Sequence, residues 1–251
     1  MRWDIAILSE PGERENNEDC VAVTSGDAGI CTVLCDGLGG HDAGEVASKC
    51  VCDSVTAAFE KAPEGADIGE LVCELLQNAQ DELMKMQIEL DKQNGMKTTA
   101  CCLLIQDGKT AAAYVGDSRI YQFRKNKVLL RSSDHSIPQY LVNIGEIKER
   151  DIRHHPDRNK LLRVMGSEWE TPRYQRLKLE EPVCGDAFLL CTDGLWEWIE
   201  EKDMERFLKR ASCSEEWLNT MKKFIYARGR GNRMDNLSAI AIMRVEGDDG
   251  G

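Results

Sequence analysis

No apolar run in this chain approaches the roughly 18 consecutive residues that a membrane-spanning helix needs. Basic charge is scarce: 32 Lys and Arg face 44 Asp and Glu, for a net charge of −12. That deficit argues against binding nucleic acid through phosphate contacts, which demand a basic face. It argues equally against docking on anionic lipid. Proline is sparse as well. Six Pro in 251 residues, with no Pro/Ser-rich stretch, leave nothing that divides the chain, so one domain over 1–246 is expected. The 11 Cys include no Cys-x-x-Cys pair, which speaks against a zinc ribbon. Most lie in apolar runs, as Cys31, Cys35, Cys101, Cys102 and Cys191 do, where free thiols behave as small hydrophobes. This usage points to a reducing cytoplasm rather than to a disulfide-linked secreted protein. No small-residue cleavage pattern follows the short apolar run in residues 1–10, which reads as a first strand and not as a signal peptide.

What is present is enough for a core, with 42% hydrophobic residues. Apolar runs at 30–35, 98–105, 110–115, 119–123, 127–130, 187–191 and 237–245 read as strands. Several are joined by turns as short as Asp107-Gly108 or Arg124-Lys125-Asn126, so they must pair antiparallel. Helical spacing is separate from these. Asp67 with Glu70 forms a capping box ahead of Ile68, Leu71, Val72, Leu75, Leu76, Ala79 and Leu83. Further helices are expected over 43–61, 204–209 and 215–226. Segregated strands and helices predict an α+β fold of layers, not a doubly wound parallel sheet. Residues 136–165 carry Pro138, Gly145 and Pro156 among many charges and read as a flap inserted over one edge of the core. Within it, 147–163 hold six basic residues against three acids, a local reversal of sign. Either a basic rim steers an anionic partner, or the charges are paired on an ordinary helical face. Arg228, Arg230 and Arg233 form a smaller basic loop open to the same two readings. Residues 247–251 read as a disordered tail.

Four places share one pattern, an apolar strand beside a turn with an Asp at the junction. They are Val33 to Gly37, Tyr114 to Ser118, Leu189 to Gly194, and Asp235-Asn236 before Leu237. Strand ends hold carboxylates rigidly, and the following Gly admits a ligand to the backbone carbonyl. Gathered together, such carboxylates repel one another unless a cation sits among them. Oxygen-only ligation suits Mg²⁺ or Mn²⁺, and two such ions can acidify a shared water into a nucleophile. A single Asp-Gly, by contrast, is usually only a turn. Arg14, four residues before Glu18, offers a fork suited to phosphate, or else is a solvated surface residue.

In order along the chain stand Arg14-x-x-x-Glu18-Asp19, Asp36-Gly37-Leu38-Gly39-Gly40-His41-x-x-Gly44-Glu45-x-Ala47-Ser48, Thr98-Thr99, Val115-Gly116-Asp117-Ser118-Arg119-x-Tyr121, Ser133-Asp134-His135-Ser136, Cys191-Thr192-Asp193-Gly194-Leu195-Trp196 and Asp235-Asn236-Leu237-Ser238. This resembles the metal-dependent serine/threonine phosphatases of the PPM, or PP2C, type in their compact bacterial form. The motifs run in family order from about Trp3 to Val245. The resemblance implies a four-layer α-β-β-α sandwich, two antiparallel sheets with helices outside. It implies two Mn²⁺ or Mg²⁺ ions, with a weaker third site. Asp36 would bridge the pair and the Gly37 carbonyl would ligate one ion. Asp193 and Asp235 would complete the ligands of the first ion, and Glu18 would reach the second, largely alongside water. Asp117 with Asp193 would correspond to the third site. Arg14 would hold the substrate phosphate, while Asp19 and Asn236 would support the ligands. Leu38 stands where eukaryotic members place a His proposed as general acid, so that role is left without an owner here.

The expected activity is hydrolysis of phosphoserine and phosphothreonine on proteins, opposing a cytoplasmic Ser/Thr kinase. The expected state is a monomer, with no nucleic-acid or membrane partner. Two other classes compete. A catalytically silent regulatory module of the same fold would have lost metal ligands, and none is missing. A structural Ca²⁺ domain would need an Asp-x-Asp-x-Asp-Gly loop, and none occurs. Asp134-His135-Ser136 has no Gly-x-Ser-x-Gly companion and reads as a structural cap.

Overall fold

The computed structural model describes residues 2–38, 43–92 and 95–246. Gly39, Gly40 and His41 of the second motif, and the expected tail at 247–251, lie outside them. The strands are β1 Arg2–Glu10, β2 Asp19–Gly26, β3 Gly29–Leu38, β4 Lys97–Thr98, β5 Ala100–Gln106, β6 Lys109–Val115, β7 Arg119–Arg124, β8 Lys127–Arg131, β9 Gln175–Leu177, β10 Ala187–Cys191 and β11 Leu237–Val245. The helices are α1 Ala43–Phe59, α2 Ile68–Glu89, α3 Ile137–Asn143, α4 Asp193–Trp196, α5 Glu201–Leu208 and α6 Ser214–Gly229.

Two antiparallel sheets result, one in the order β1-β11-β10-β7-β8 and the other β2-β3-β5-β6-β9, with β4 on β3. Three apolar slabs separate four layers. Leu34, Leu103, Tyr114, Phe188, Leu190 and Ile240 fill the space between the sheets. Val51, Phe59, Leu75, Leu76 and Leu83 pack α1 and α2 on the outer face of the second sheet. Met204, Phe207, Trp217, Met221 and Ile225 pack α5 and α6 on the first. Alternate residues of one strand thus serve different slabs: Leu34 faces inward while Val33 and Cys35 face α1. The α-β-β-α sandwich expected from the resemblance is the fold observed.

The differences are local. Strand β2 is not among the expected strands because its residues are only half-buried, a weak apolar signal. The strand expected over 98–105 breaks at Thr99, whose amide and hydroxyl serve Asp36 instead of a ladder. The helix expected over 204–209 begins at Glu201, with Glu201 and Asp203 in its first turn complementing the helix dipole. Asp67 caps α2 as expected, accepting from the amides of Gly69 and Glu70 at 2.8 and 3.1 Å. All eleven cysteines are free thiols.

Residues 136–165 contain α3, capped by Ser136, and a 3₁₀ turn over Glu149–His154. Two of the basic residues here, Arg153 and Arg158, point inward, while Lys148, Arg150, Lys160 and Arg163 are exposed. Arg153 donates to the carbonyls of Trp196 and Ile199 and to Glu201 at 2.9 Å. Arg158 donates to Glu197 at 2.7 Å, Lys160 pairs with Asp157 at 2.8 Å, and Arg131 pairs with Glu149. Of the six basic residues over 147–163, Arg153, Arg158 and Lys160 are paired, whereas Lys148, Arg150 and Arg163 stay exposed, so the paired reading holds for part of the run and steering stays open for the rest.

Candidate active site

The open ends of the two sheets carry the acidic junctions. Asp36 stands two residues before the end of β3, opposite Asp19 of β2. Its backbone is pinned on both sides. The amide donates to the Thr99 hydroxyl at 2.9 Å, and the carbonyl accepts from the Thr98 hydroxyl and the Thr99 amide at 2.8 and 2.9 Å. Asp117 sits in the β6–β7 turn, which Gly116 makes with φ +103°. Asp193 opens α4, and Asp235 precedes β11. Four elements distant in sequence thus meet on one cleft of about 740 Å³. Its wall includes Arg14, Glu18, Asp36, Gly37, Asp117, Asp193 and Asp235, so every residue expected to ligate metal or bind phosphate lies on it, with Asn236, while Asp19 does not line it.

Close approach explains the glycines. A Cβ on Gly37 would sit 2.3 Å from the Gly44 carbonyl oxygen and 2.6 Å from that of Glu18. A Cβ on Gly194 would sit 1.9 Å from the Asn236 carbonyl oxygen. Gly194→Ala should therefore displace the start of β11 and with it Asp235. We expect a stability loss of about 1–3 kcal/mol by urea denaturation, with weaker Mn²⁺ binding by calorimetry. Unchanged values of both would show that β11 yields without moving the site.

Asn236 organises the near wall. Its side-chain oxygen accepts from the Glu18 amide at 2.8 Å, and its side-chain nitrogen donates to the carbonyls of Pro11 and Asn16 at 3.0 and 2.9 Å. The Glu13 amide donates to the Met234 carbonyl at 3.1 Å. The loop carrying Arg14 and Glu18 is thereby laced to the segment carrying Asp235. Arg14 itself donates to Asp235 at 2.7 Å, while more than half of its side chain remains exposed. Asp235 and its hydrogen bond raise the guanidinium's pKa further. Asp19 accepts from the Thr192 hydroxyl at 3.0 Å, and burial lifts its carboxyl to about 7.

Electrostatics distinguish this cleft from ordinary turns. Burial, then the charges of Asp193, Asp19, Asp117 and Asp235, push the Asp36 carboxyl well above the usual range. Asp193 is raised in the same way by burial, then by Asp117, Glu197, Asp235 and Asp19. Burial and Asp134 lift Asp117 to about 7. These groups cannot all carry charge side by side unless a cation joins them. The donors are carboxylate and carbonyl oxygens, with no thiol or imidazole on the described wall, which fits hard divalent ions. Among the described residues no three side chains of His, Cys, Asp or Glu close into a ready-made cage.

Glu197 was not singled out from the sequence. It follows Asp193 by four residues at the end of α4, so helical spacing alone would have found it. Its carboxyl is raised by burial despite its bond to Arg158. Behind the cleft, Arg119 forms a bidentate pair with Asp134 at 2.9 and 2.7 Å, both side chains fully buried. The Arg119 guanidinium lies 3.6 Å from the ring centre of Trp196, whose indole N–H donates to the Asp117 carbonyl at 3.1 Å. His135 stacks on Tyr114 and its Nδ1 accepts from the Gly116 amide at 3.1 Å. The Asp134-His135-Ser136 run is thus structural, as expected.

Comparison with known proteins agrees with this geometry. The chain is 30% identical over 237 residues to the serine/threonine phosphatase stp of Listeria welshimeri, covering 92% of this chain and 91% of that one. It is 28% identical over 238 residues to the serine/threonine protein phosphatase PstP of Mycobacterium tuberculosis, covering 94% of this chain but only 44% of PstP. The catalytic domain of a PstP, solved in complex with two manganese ions, superposes with a TM-score of 0.81 at 25% identity, covering 97% and 99% of the two chains. The family profile for protein phosphatase 2C matches residues 12–227. Fold, acidic cleft and sequence match converge on one assignment: the chain belongs to the protein phosphatase 2C family.

Proposed function

We propose that this protein is a metal-dependent serine/threonine phosphatase, and that its substrates are phosphoserine and phosphothreonine side chains of proteins. The observation that carries the reading is a desolvated cleft whose acids repel one another, with an arginine at its mouth. Asp36, the Gly37 carbonyl, Asp193 and Asp235 would hold one side of a two-ion centre, Glu18 the other, and Asp117 with Asp193 a weaker third position. Bound Mn²⁺ or Mg²⁺ supplies Lewis acidity toward the phosphoryl oxygens and an acidified water. The chain's own contribution is positioning. The Thr98 and Thr99 bonds hold Asp36 at its strand end, and the Asn236 bonds set Glu18 and Asp235 on one wall. Arg14 binds the phosphoryl oxygens with the guanidinium that Asp235 orients. Leu38 lines the cleft, and no histidine does so among the described residues, so protonation of the leaving alkoxide falls to water.

Free thiols and the absence of any described helix long and apolar enough to cross a membrane suit a cytoplasmic monomer opposing a Ser/Thr kinase. The test is turnover of p-nitrophenyl phosphate and a phosphothreonine peptide with Mn²⁺, with and without chelator. Chelator-sensitive hydrolysis of both is expected. Hydrolysis unaffected by chelator, or none in folded protein, would overturn the reading. Arg14→Ala should lower kcat/KM for the peptide roughly 100-fold. A change under threefold would remove Arg14 from the phosphate site.

A further inference from the structure

We infer that Arg233 is a specificity residue at the cleft mouth that reads a second anionic group on the substrate, beside the phosphate being removed. The inference rests on the phosphatase reading above. Arg14 and Arg233 are the cations on the described wall of the cleft. Arg14 pairs with Asp235 at 2.7 Å and, in the phosphatase reading, holds the phosphate being removed. Arg233 is exposed and has no carboxylate within 4.0 Å among the described residues. In a chain of net charge −12, an arginine on an acidic cleft with no carboxylate partner among the described residues has its charge available to a ligand.

Its backbone is held firmly. Met234 is buried, its side chain fills the space over Gly229, and its carbonyl accepts from the Glu13 amide at 3.1 Å. A rigid neighbour limits the entropy lost when the guanidinium binds. The other arginines of the basic loop are placed differently. Arg228 reaches the Trp198 carbonyl and lies 4.3 Å from the Phe224 ring centre. Arg230 ends α6 away from the cleft wall.

Distance fixes what Arg233 can read. It lies two residues before Asp235, so their Cα atoms are at most about 7 Å apart. A substrate residue two positions from the phosphorylated one is displaced by the same reach. The shared chemistry is a phosphate or a carboxylate, which a guanidinium fork accepts in the same way. Glu13 and Glu15 line the same mouth and repel anions, so the preference is confined to the side Arg233 occupies.

Four phosphothreonine peptides test this: neutral flanks, Asp two residues before or two after the phosphothreonine, and phosphoserine at the favoured one of those positions. Wild-type turnover of p-nitrophenyl phosphate with Mn²⁺ is measured alongside, and if that fails the phosphatase reading falls first. Arg233→Ala should raise KM for an anionic-flanked peptide about fivefold, with kcat within twofold. The neutral peptide should change less than twofold. Arg233→Lys should keep most of the preference, and Arg233→Glu should reverse it. A larger effect on the doubly phosphorylated peptide assigns phosphate as the preferred group, and equal effects assign any anion. Equal KM changes for neutral and anionic peptides would overturn the inference.

Discussion

Asp193→Asn should abolish Mn²⁺-dependent phosphatase activity, by about 10³-fold or more, and at the same time make the metal-free protein more stable. The two effects share one cause. Burial and four neighbouring acids raise the Asp193 carboxyl well above its ordinary range. A carboxylate whose folded pKa lies above its unfolded value binds more protons in the folded state. At neutral pH it therefore opposes folding, and an uncharged isostere removes that opposition. In the wild type a divalent ion bound at the proposed centre would offset the repulsion instead, so Mn²⁺ should raise the melting temperature through its preference for the folded state. In the variant the metal-free melting temperature should rise and the Mn²⁺-induced increment should shrink. Scanning calorimetry with and without Mn²⁺, beside an activity assay, checks both. Substantial activity in the variant would remove Asp193 from the ligand set. A lower metal-free melting temperature would show that the carboxylate is stabilised by something other than a cation. A folded wild type that binds Mn²⁺ but never turns over would return the protein to the silent-module reading.

The second large effect concerns the scaffold behind the cleft. Asp134→Ala leaves the Arg119 guanidinium charged and fully buried, with Tyr121, the Trp196 ring and Glu201 at 3.8 Å as its remaining partners among the described residues. Removing one partner of a buried ion pair costs about 3–5 kcal/mol. A loss of that size is a large part of the about 5–15 kcal/mol that holds an ordinary domain folded. The double replacement Arg119→Met with Asp134→Leu should recover at least half of the loss, because no uncompensated charge remains. Urea denaturation of the two variants measures both quantities. An Asp134→Ala loss below 1 kcal/mol would mean that water or another group reaches Arg119. The pair also bears on the site, since Arg119 supports Trp196 and Trp196 holds the Asp117 carbonyl.

Residue patterns carried much of this. Each Asp at a strand junction is legible because strand residues and turn residues differ in kind, and the glycines beside them mark places where no Cβ fits. The order of the motifs carried the family resemblance, and with it the four layers. Other features had no local signature. Arg14 and Asp235 are 221 residues apart, and nothing near either one announces the pair. Arg153 and Arg158 look like a basic rim in sequence, yet their partners Glu201 and Glu197 come from elements some forty residues away. Strand β2 escaped because half-burial dilutes its apolar alternation.

The sequence by itself determined which residues could ligate a hard cation and which could bind phosphate, because that is a property of side-chain chemistry and local backbone. Tertiary structure alone decided which charges face one another and how much water reaches them. Coulomb energy depends on distance and dielectric, and both are set when four strand ends close on one cleft. That closure turns separate turn aspartates into a centre that calls for metal. It also leaves Arg233, and not Arg228 or Arg230, on the wall of the cleft.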